Sequence, residues 1–376
     1  MWKVTRVFVL VALYSYVGSQ EYSGSLRLVN VVFRHGQRTP ADTYPSDPHL
    51  HQTFHPYGWG QLTNEGKRQQ YELGEFLRDR YGSFIGDGFP SKVARVQSTG
   101  VERTLMSAQL VAAGLFTPST HPLQQWNQKL DWQPVAVHSQ PLEEDSLLLV
   151  RIPCPRYHEE RDRLKSEGEV KSYLASLSDL YKSLSLHSGL TVSDPDDVQS
   201  LYSTLLAEVQ FNLTLPEWTK DYYPEKMAKV TAYSFTLNAY NDQLKKLKGG
   251  PLLKEIITNM KEKIKEPNGR KMFLYAGHDS TVANILLALN VWDEQIPVYN
   301  IMTMIELHQL NGVYGVKVYL RNSTEHEPYH LRVPSCGDFC PLDKLVELST
   351  KVLPENLEKD CLSKDPNYKP PLPSGP

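Results

Sequence analysis

The sequence is poor in several features that would narrow its function at once. It has 4 cysteines in 376 residues, too few for a small disulfide scaffold and without the paired C-x-x-C spacing of a zinc or redox site. It has no basic excess. Its 40 Lys and Arg stand against 43 Asp and Glu, a formal net charge of −3 at pH 7, so the basic face that nucleic-acid binding demands is not expected. Past the N-terminal stretch no apolar run is long enough to span a membrane. The H-E-x-x-H of zinc hydrolases and the G-x-S-x-G of serine hydrolases are both missing. The nearest approach to a nucleotide loop, GQLTNEGK over 60–67, has one residue too many between its glycines, and Arg68 stands where Ser or Thr is required. It reads instead as a turn into the helical pattern EGKRQQYELGEFLRDRY.

What is there is an ordinary globular composition, 40% hydrophobic and 22% charged, with length for a large core. Lys3 and Arg6 precede an apolar stretch from Val7 to Val17, followed by the small-residue pattern Val17-Gly18-Ser19. Residues 1–19 therefore read as a secretory signal peptide. The product is expected to be secreted or held in the lysosomal lumen, with no stable membrane anchor. An even cysteine count suits that compartment. Cys336 and Cys340 flank the turn CGDFC and can close a short loop, leaving Cys154 for Cys361. Asn212 and Asn322 open glycosylation sequons. His49, His51 and His55 lie in a loop rich in proline and aromatics, where no metal is expected.

Three strand-to-helix junctions share one design. An apolar run, Leu28 to Phe33, ends at RHGQRTP (34–40). A short strand, Val93 to Gln97, leads into STGVERTLMSAQLVAAGL, with Ser98 or Thr99 as N-cap and a helix from about Val101 to Gly114. A buried strand, Met272 to Ala276, leads into GHDSTVANILLALNV, capped by Asp279 or Ser280. In open α/β sheets ligands sit at the carboxyl ends of the strands, and helix N-termini there favour anions. Arg34, His35, Arg38, Arg103, His278 and Asp279 thus become candidates for one anion site, although some 240 residues of chain separate its two histidines.

RHGQRTP together with the late GHDS, and with GQLTNEGKRQQYELGEFLRDRY, QSTGVERTLMSAQLVAAGLF and FNLTLPEW in the same order, resembles the histidine acid phosphatases, specifically the animal prostatic, lysosomal and insect venom branch. The resemblance covers most of the chain. It implies a phosphoglycerate-mutase-like α/β fold, a mixed sheet flanked by helices, carrying a smaller inserted helical domain. It also implies that His35 is the nucleophile and forms a phosphohistidine. Asp279 would be the proton donor, and Arg34, Arg38, Arg103 and His278 would hold the phosphoryl oxygens. No cofactor is implied, the substrates are phosphate monoesters, and relatives form homodimers. Gln37 departs from the family, where Asp is common, and Ala207 and Ile301 stand where relatives carry a further cysteine pair. Unlike the lysosomal relatives, the chain has no C-terminal membrane segment.

The chemistry supports those roles on its own terms. Guanidinium forks match phosphate oxygens two at a time, and neighbouring cations disfavour an imidazolium, keeping a histidine nucleophile neutral. Taken singly, each residue has a blander reading: a structural histidine after a strand, Asp279 as a helix cap, Arg103 on a solvated helix. A cation in the first turn of a helix opposes the dipole, which favours an anion-binding Arg103. The expected organisation is an α/β catalytic domain from 24–140 and 251–345, a helical insertion at 141–250 and a C-terminal segment at 346–376 with a disordered tail. The expected function is that of an acid phosphatase. The alternatives are a phytase-like or lysophospholipid phosphatase, or a secreted non-catalytic phosphate-ligand-binding protein of venom or saliva.

Overall fold

A computed structural model describes residues 24–118 and 124–371. The expected signal peptide lies outside the described residues.

At the centre is a mixed sheet whose order is β3-β2-β4-β1-β5-β6-β7, with β8 also paired to β6. β1 (Leu26–Arg34), β2 (Ala94–Ser98), β3 (Val137–Ser139) and β4 (Met272–Gly277) run parallel, whereas β5 (Met302–Leu310), β6 (Val313–Arg321), β7 (Tyr329–Leu331) and β8 (Cys340–Pro341) continue the sheet antiparallel. β1 is buried on both faces, which is why its sequence is a continuous apolar run rather than an alternation. Its side chains still alternate in direction. Leu28 and Val32 join one core with Tyr275, Ile305 and the helices α9 (Gly250–Lys265) and α10 (Asp279–Ala288). Val29, Val31 and Phe33 join the opposite core with α1 (Asn64–Ile85) and α2 (Glu102–Leu115). The two helices of that second face cross at glycines. A Cβ on Gly74 would stand 2.2 Å from the Val111 carbonyl oxygen, and one on Gly114 would stand 2.2 Å from that of Tyr71.

The segment read as a helical insertion contains α3 (Pro155–Ser166), α4 (Gly168–Ser176), α5 (Ser178–Ser188), α6 (Pro195–Gln210), α7 (Glu225–Asn238) and α8 (Asp242–Lys248). Two helix-patterned stretches, YHEERDRLKSEGEVKSYLASLSDLYKSL and EKMAKVTAYSFTLNAYNDQLKKLKGG, are broken. Gly168 takes φ +56° between α3 and α4, and the Asn241 side chain accepts the Leu244 N–H at 3.0 Å, starting α8 afresh. The helices enclose a core of their own, with Leu184, Val198, Leu201, Leu205 and Met227, joined by Tyr44 from the loop after β1. The expected boundaries cut through helices: 250 is the first residue of α9, and 345 lies inside α11 (Leu342–Ser349).

Cys154 pairs with Cys361, and Cys336 with Cys340. Within the described residues the C-terminal segment reaches back to α3, where the Tyr368 hydroxyl donates to Asp162 at 2.6 Å. Asn212 is exposed at the end of α6, whereas the Asn322 amide donates to Gln295 at 3.3 Å. Ala207 and Ile301 are fully buried.

One contact between the loop after β1 and α6 runs against ordinary preference. Glu208 is 1% exposed, and neither of its carboxyl oxygens has a hydrogen-bond donor. Asp47, which accepts from Thr43 Oγ1 and the His49 N–H, lies beside it. Burial first and the Asp47 charge second push Glu208 up to about 8. An acid raised in the folded state holds a proton that the unfolded chain has already released, so its contribution is full below the ordinary value of 4.5 and lost as pH rises to about 8. The protein should therefore melt several degrees lower at about pH 8.5 than at about pH 5.5, and Glu208→Gln should narrow that gap. An unchanged gap in the variant, read by thermal unfolding, would assign the pH dependence elsewhere.

Candidate active site

The site arises from strand adjacency. β4 pairs with β1 on one side and β2 on the other, all parallel, so three carboxyl ends lie side by side, spaced by roughly 4.8 Å per strand. Arg34 pairs with Gly277 and Ser98 with Ala276 across these ladders. One residue further on, His35 N–H donates to the Gly277 carbonyl at 3.0 Å and Thr99 N–H to that of Ala276 at 3.2 Å. His35, Thr99 and His278 are thereby drawn to a common edge.

His35 is 2% exposed. Its Nδ1 lies 2.8 Å from the Gly36 carbonyl oxygen, which can only accept. Nδ1 therefore carries the proton, and Nε2 keeps a lone pair that accepts from Arg103 Nε at 3.2 Å. Burial, then Arg103 and Arg34, hold the His35 imidazole well below the ordinary histidine range. The His278 ring stands edge-on, 5.4 Å away between centroids, with Nε2 3.0 Å from Thr99 Oγ1. It too is held low, by burial and then by Arg103, Arg34, Arg151 and Arg38.

Around these neutral rings the cations collect. Arg103, on the first turn of α2 and 7% exposed, is lowered to about 10 by burial and by the like charge of Arg38. Arg38 donates to Thr39 O at 3.0 Å, while its Nε and that of Arg34 are buried without acceptors. Arg34 spans to Asp279 Oδ2 at 2.9 Å and to the Pro297 carbonyl. Asp279 is thus the first residue of α10 rather than its cap, with His278 preceding it. Likewise α2 starts at Glu102 after Val101, and Thr99 spends its hydroxyl on Thr104 (2.6 Å) and His278 rather than on capping.

All six residues singled out in the sequence meet here. Four others contribute that the sequence did not flag. Thr99 fixes His278, and Gln70 Nε2 donates to the Arg34 carbonyl at 3.1 Å. Tyr299 lies over Arg34, and Arg151 adds charge near His278. Only Thr99, beside a glycine at a strand end, carried any local signal. Gln37 turns its carboxamide to Thr63, the N-cap of α1, accepting from Oγ1 at 2.8 Å.

The sequence profile described as the histidine phosphatase superfamily, branch 2, matches residues 25–313. The chain belongs to that family. It is 38% identical to the prostatic acid phosphatase of Homo sapiens over 360 residues, covering 94% of this chain and 92% of that one. It is 36% identical to the venom acid phosphatase Acph-1 of Apis mellifera, covering 94% and 91%. It is 34% identical to the lysosomal acid phosphatase of Rattus norvegicus, covering 90% and 80%. The fold is also that of solved phytases. The Hafnia alvei enzyme in complex with tartrate matches with TM-score 0.67 at 19% identity, over 89% of this chain and 98% of that one. The Citrobacter braakii enzyme matches with TM-score 0.66 at 16%, over 90% and 100%. The family assignment makes this chain an acid phosphatase, a phosphoric monoester hydrolase.

Within this histidine phosphatase the RHG turn has no room for a side chain at its glycine. A Cβ on Gly36 would stand 2.3 Å from the Gly66 carbonyl oxygen, and one on Gly66 would stand 2.1 Å from that of Gln37. The N-terminal turn of α1 is pressed backbone to backbone against the residues that carry His35. Gly36→Ala should cost about 1–3 kcal/mol through overpacking and displace the imidazole. A lower melting temperature together with at least a tenfold fall in kcat/KM is expected, roughly what a sub-ångström shift of a catalytic group produces. Unchanged values of both would contradict the close approach.

Proposed function

We propose that the chain hydrolyses phosphate monoesters, in the secretory pathway or outside the cell, by passing the phosphoryl group through His35. Nε2 attacks phosphorus and forms the P–N bond as the ester P–O bond breaks. Asp279 gives its proton to the departing alkoxide. Water then attacks the phosphohistidine, returns a proton to Asp279 and frees inorganic phosphate with the Nε2 lone pair restored. Arg34, Arg38 and Arg103 neutralise the equatorial oxygens, and His278 donates to one of them. Most of the catalysis is positioning and charge stabilisation, as phosphoryl transfer requires. The observation that carries the reading is the tautomer: the Gly36 carbonyl holds the proton on Nδ1, so the lone pair sits on Nε2, where it accepts from Arg103 Nε until a substrate takes its place.

We also read residues 141–250 as an inserted helical domain, supported by the separate core of α5 to α7. A non-catalytic binding protein on the same fold is disfavoured, because a binder has no use for a neutral, lone-pair-bearing imidazole among three guanidinium groups.

His35→Ala should lower turnover of an aryl phosphate roughly a thousandfold or more, and Asp279→Asn about 10²- to 10⁴-fold. Rapid quench with labelled substrate should place the label on His35. Label on another residue, or full activity in His35→Ala, would overturn the mechanism. The lowered histidines also set the sign of the pH dependence. A group whose pKa is depressed stays neutral as pH falls through the ordinary value of 6.5. Activity should therefore hold between about pH 6.5 and pH 5, where a free imidazole nucleophile would lose roughly fifteenfold. A loss of that size in kcat/KM would show that His35 titrates normally.

A further inference from the structure

Arg34 is held on more sides than an oxyanion ligand needs. One of its Nη atoms donates to the Pro297 carbonyl and the other to Asp279 Oδ2 at 2.9 Å. Its guanidinium carbon lies 4.3 Å from the centroid of the Tyr299 ring. The same ring is 5.8 Å from that of His35, tilted by 44°. Tyr299 has little freedom to leave. Asn300, at φ +64°, is buried and hydrogen-bonded through Oδ1 to Gln70 Nε2. Gln70 also grips the Arg34 carbonyl, and the Arg34 N–H donates to Ile301 O at 3.0 Å. The segment between α10 and β5 is thus stitched to the residue it covers. With one face of the guanidinium on the ring and one N–H of each Nη engaged, Nε is the nitrogen of the group left buried without any acceptor.

We propose that Tyr299 is a positioning residue for phosphoryl transfer: its ring fixes the plane of the Arg34 guanidinium so that the unoccupied Nε edge meets a phosphoryl oxygen. The inference rests on the phosphatase reading above. An aromatic face suits the task because it attracts the cation without consuming a donor, whereas a carboxylate there would compete with the substrate for Nε–H. Planarity makes the restraint directional, since a guanidinium turned about its stem presents a different edge.

The test uses the full chain with Tyr299→Phe, Tyr299→Trp and Tyr299→Leu, each also in an Arg34→Lys background. Melting temperature, kcat and KM for an aryl phosphate, and the affinity of inorganic phosphate are measured for each. Phe and Trp keep the ring and should stay within about threefold of the parent. Leu should lower both kcat/KM and phosphate affinity about 10- to 100-fold, and should add little once Arg34 is Lys, because the two residues act as one unit. A Leu variant equal to the parent, a Phe variant as impaired as Leu, or full additivity with Arg34→Lys would each overturn the proposal. Phosphate affinity is read without turnover, so a wild type that binds phosphate but hydrolyses nothing would sink the phosphatase reading alone.

Discussion

Three guanidinium groups packed around two neutral imidazoles, with Asp279 the single carboxylate among them, form an arrangement that repels itself. Burial makes the repulsion worse, as the lowering of Arg103 to about 10 records. Such a cluster persists only because the surrounding fold over-determines it, and its purpose is legible in what it lacks, which is anionic charge. A phosphoryl group supplies that charge together with acceptors for the unoccupied Nε atoms of Arg34 and Arg38. Burial first, and then the same excess of positive charge, keep His35 and His278 neutral. Anion binding and nucleophile activation are therefore one electrostatic fact seen from two sides.

The fold meets that demand by placing the charges on backbone that cannot yield. Parallel pairing of β1, β4 and β2 fixes three strand ends in register. Gly36 against Gly66 lets the first turn of α1 close on the loop without a side chain between them. Thr63 links the two again, taking the Gly66 N–H at 3.0 Å while donating to Gln37. In this chain Gln37 is thus part of the helix-cap network. Its neutral carboxamide faces the N-terminus of α1, where an anion would also have been favoured by the helix dipole.

How much of this could be read from the sequence depended on how local each signal was. β1 and β4 were legible because burial on both faces writes an uninterrupted apolar run. The six site residues were legible because they cluster at strand ends and match a family pattern. Exact caps were not, since Thr99 and Asp279 have the right chemistry for capping but are claimed by tertiary partners, His278 and Arg34. The breaks at Gly168 and Asn241 were missed because charged, helix-forming residues continue on either side of them. Tyr299 and Gln70 left no trace, because their roles exist only once α10, β5 and α1 are packed together.

That division also bears on specificity. In the proposed mechanism Arg34, His35, Arg38, Arg103 and His278 address the phosphoryl group, which all monoesters share, and Asp279 alone of the six faces the leaving oxygen. Two segments outside the strand ends border this scaffold: the loop after β1, which packs against α6 through Tyr44 and Asp47, and the Pro297–Ile301 segment, which carries Tyr299 beside Arg34. Phytases share the sheet at 16–19% identity, a likeness that fixes the architecture and leaves the rim open. Choice among ligands is generally carried by segments hung from a rigid scaffold rather than by the scaffold itself. Tyr299 joins the two, since the ring that lies against Arg34 is itself only partly buried.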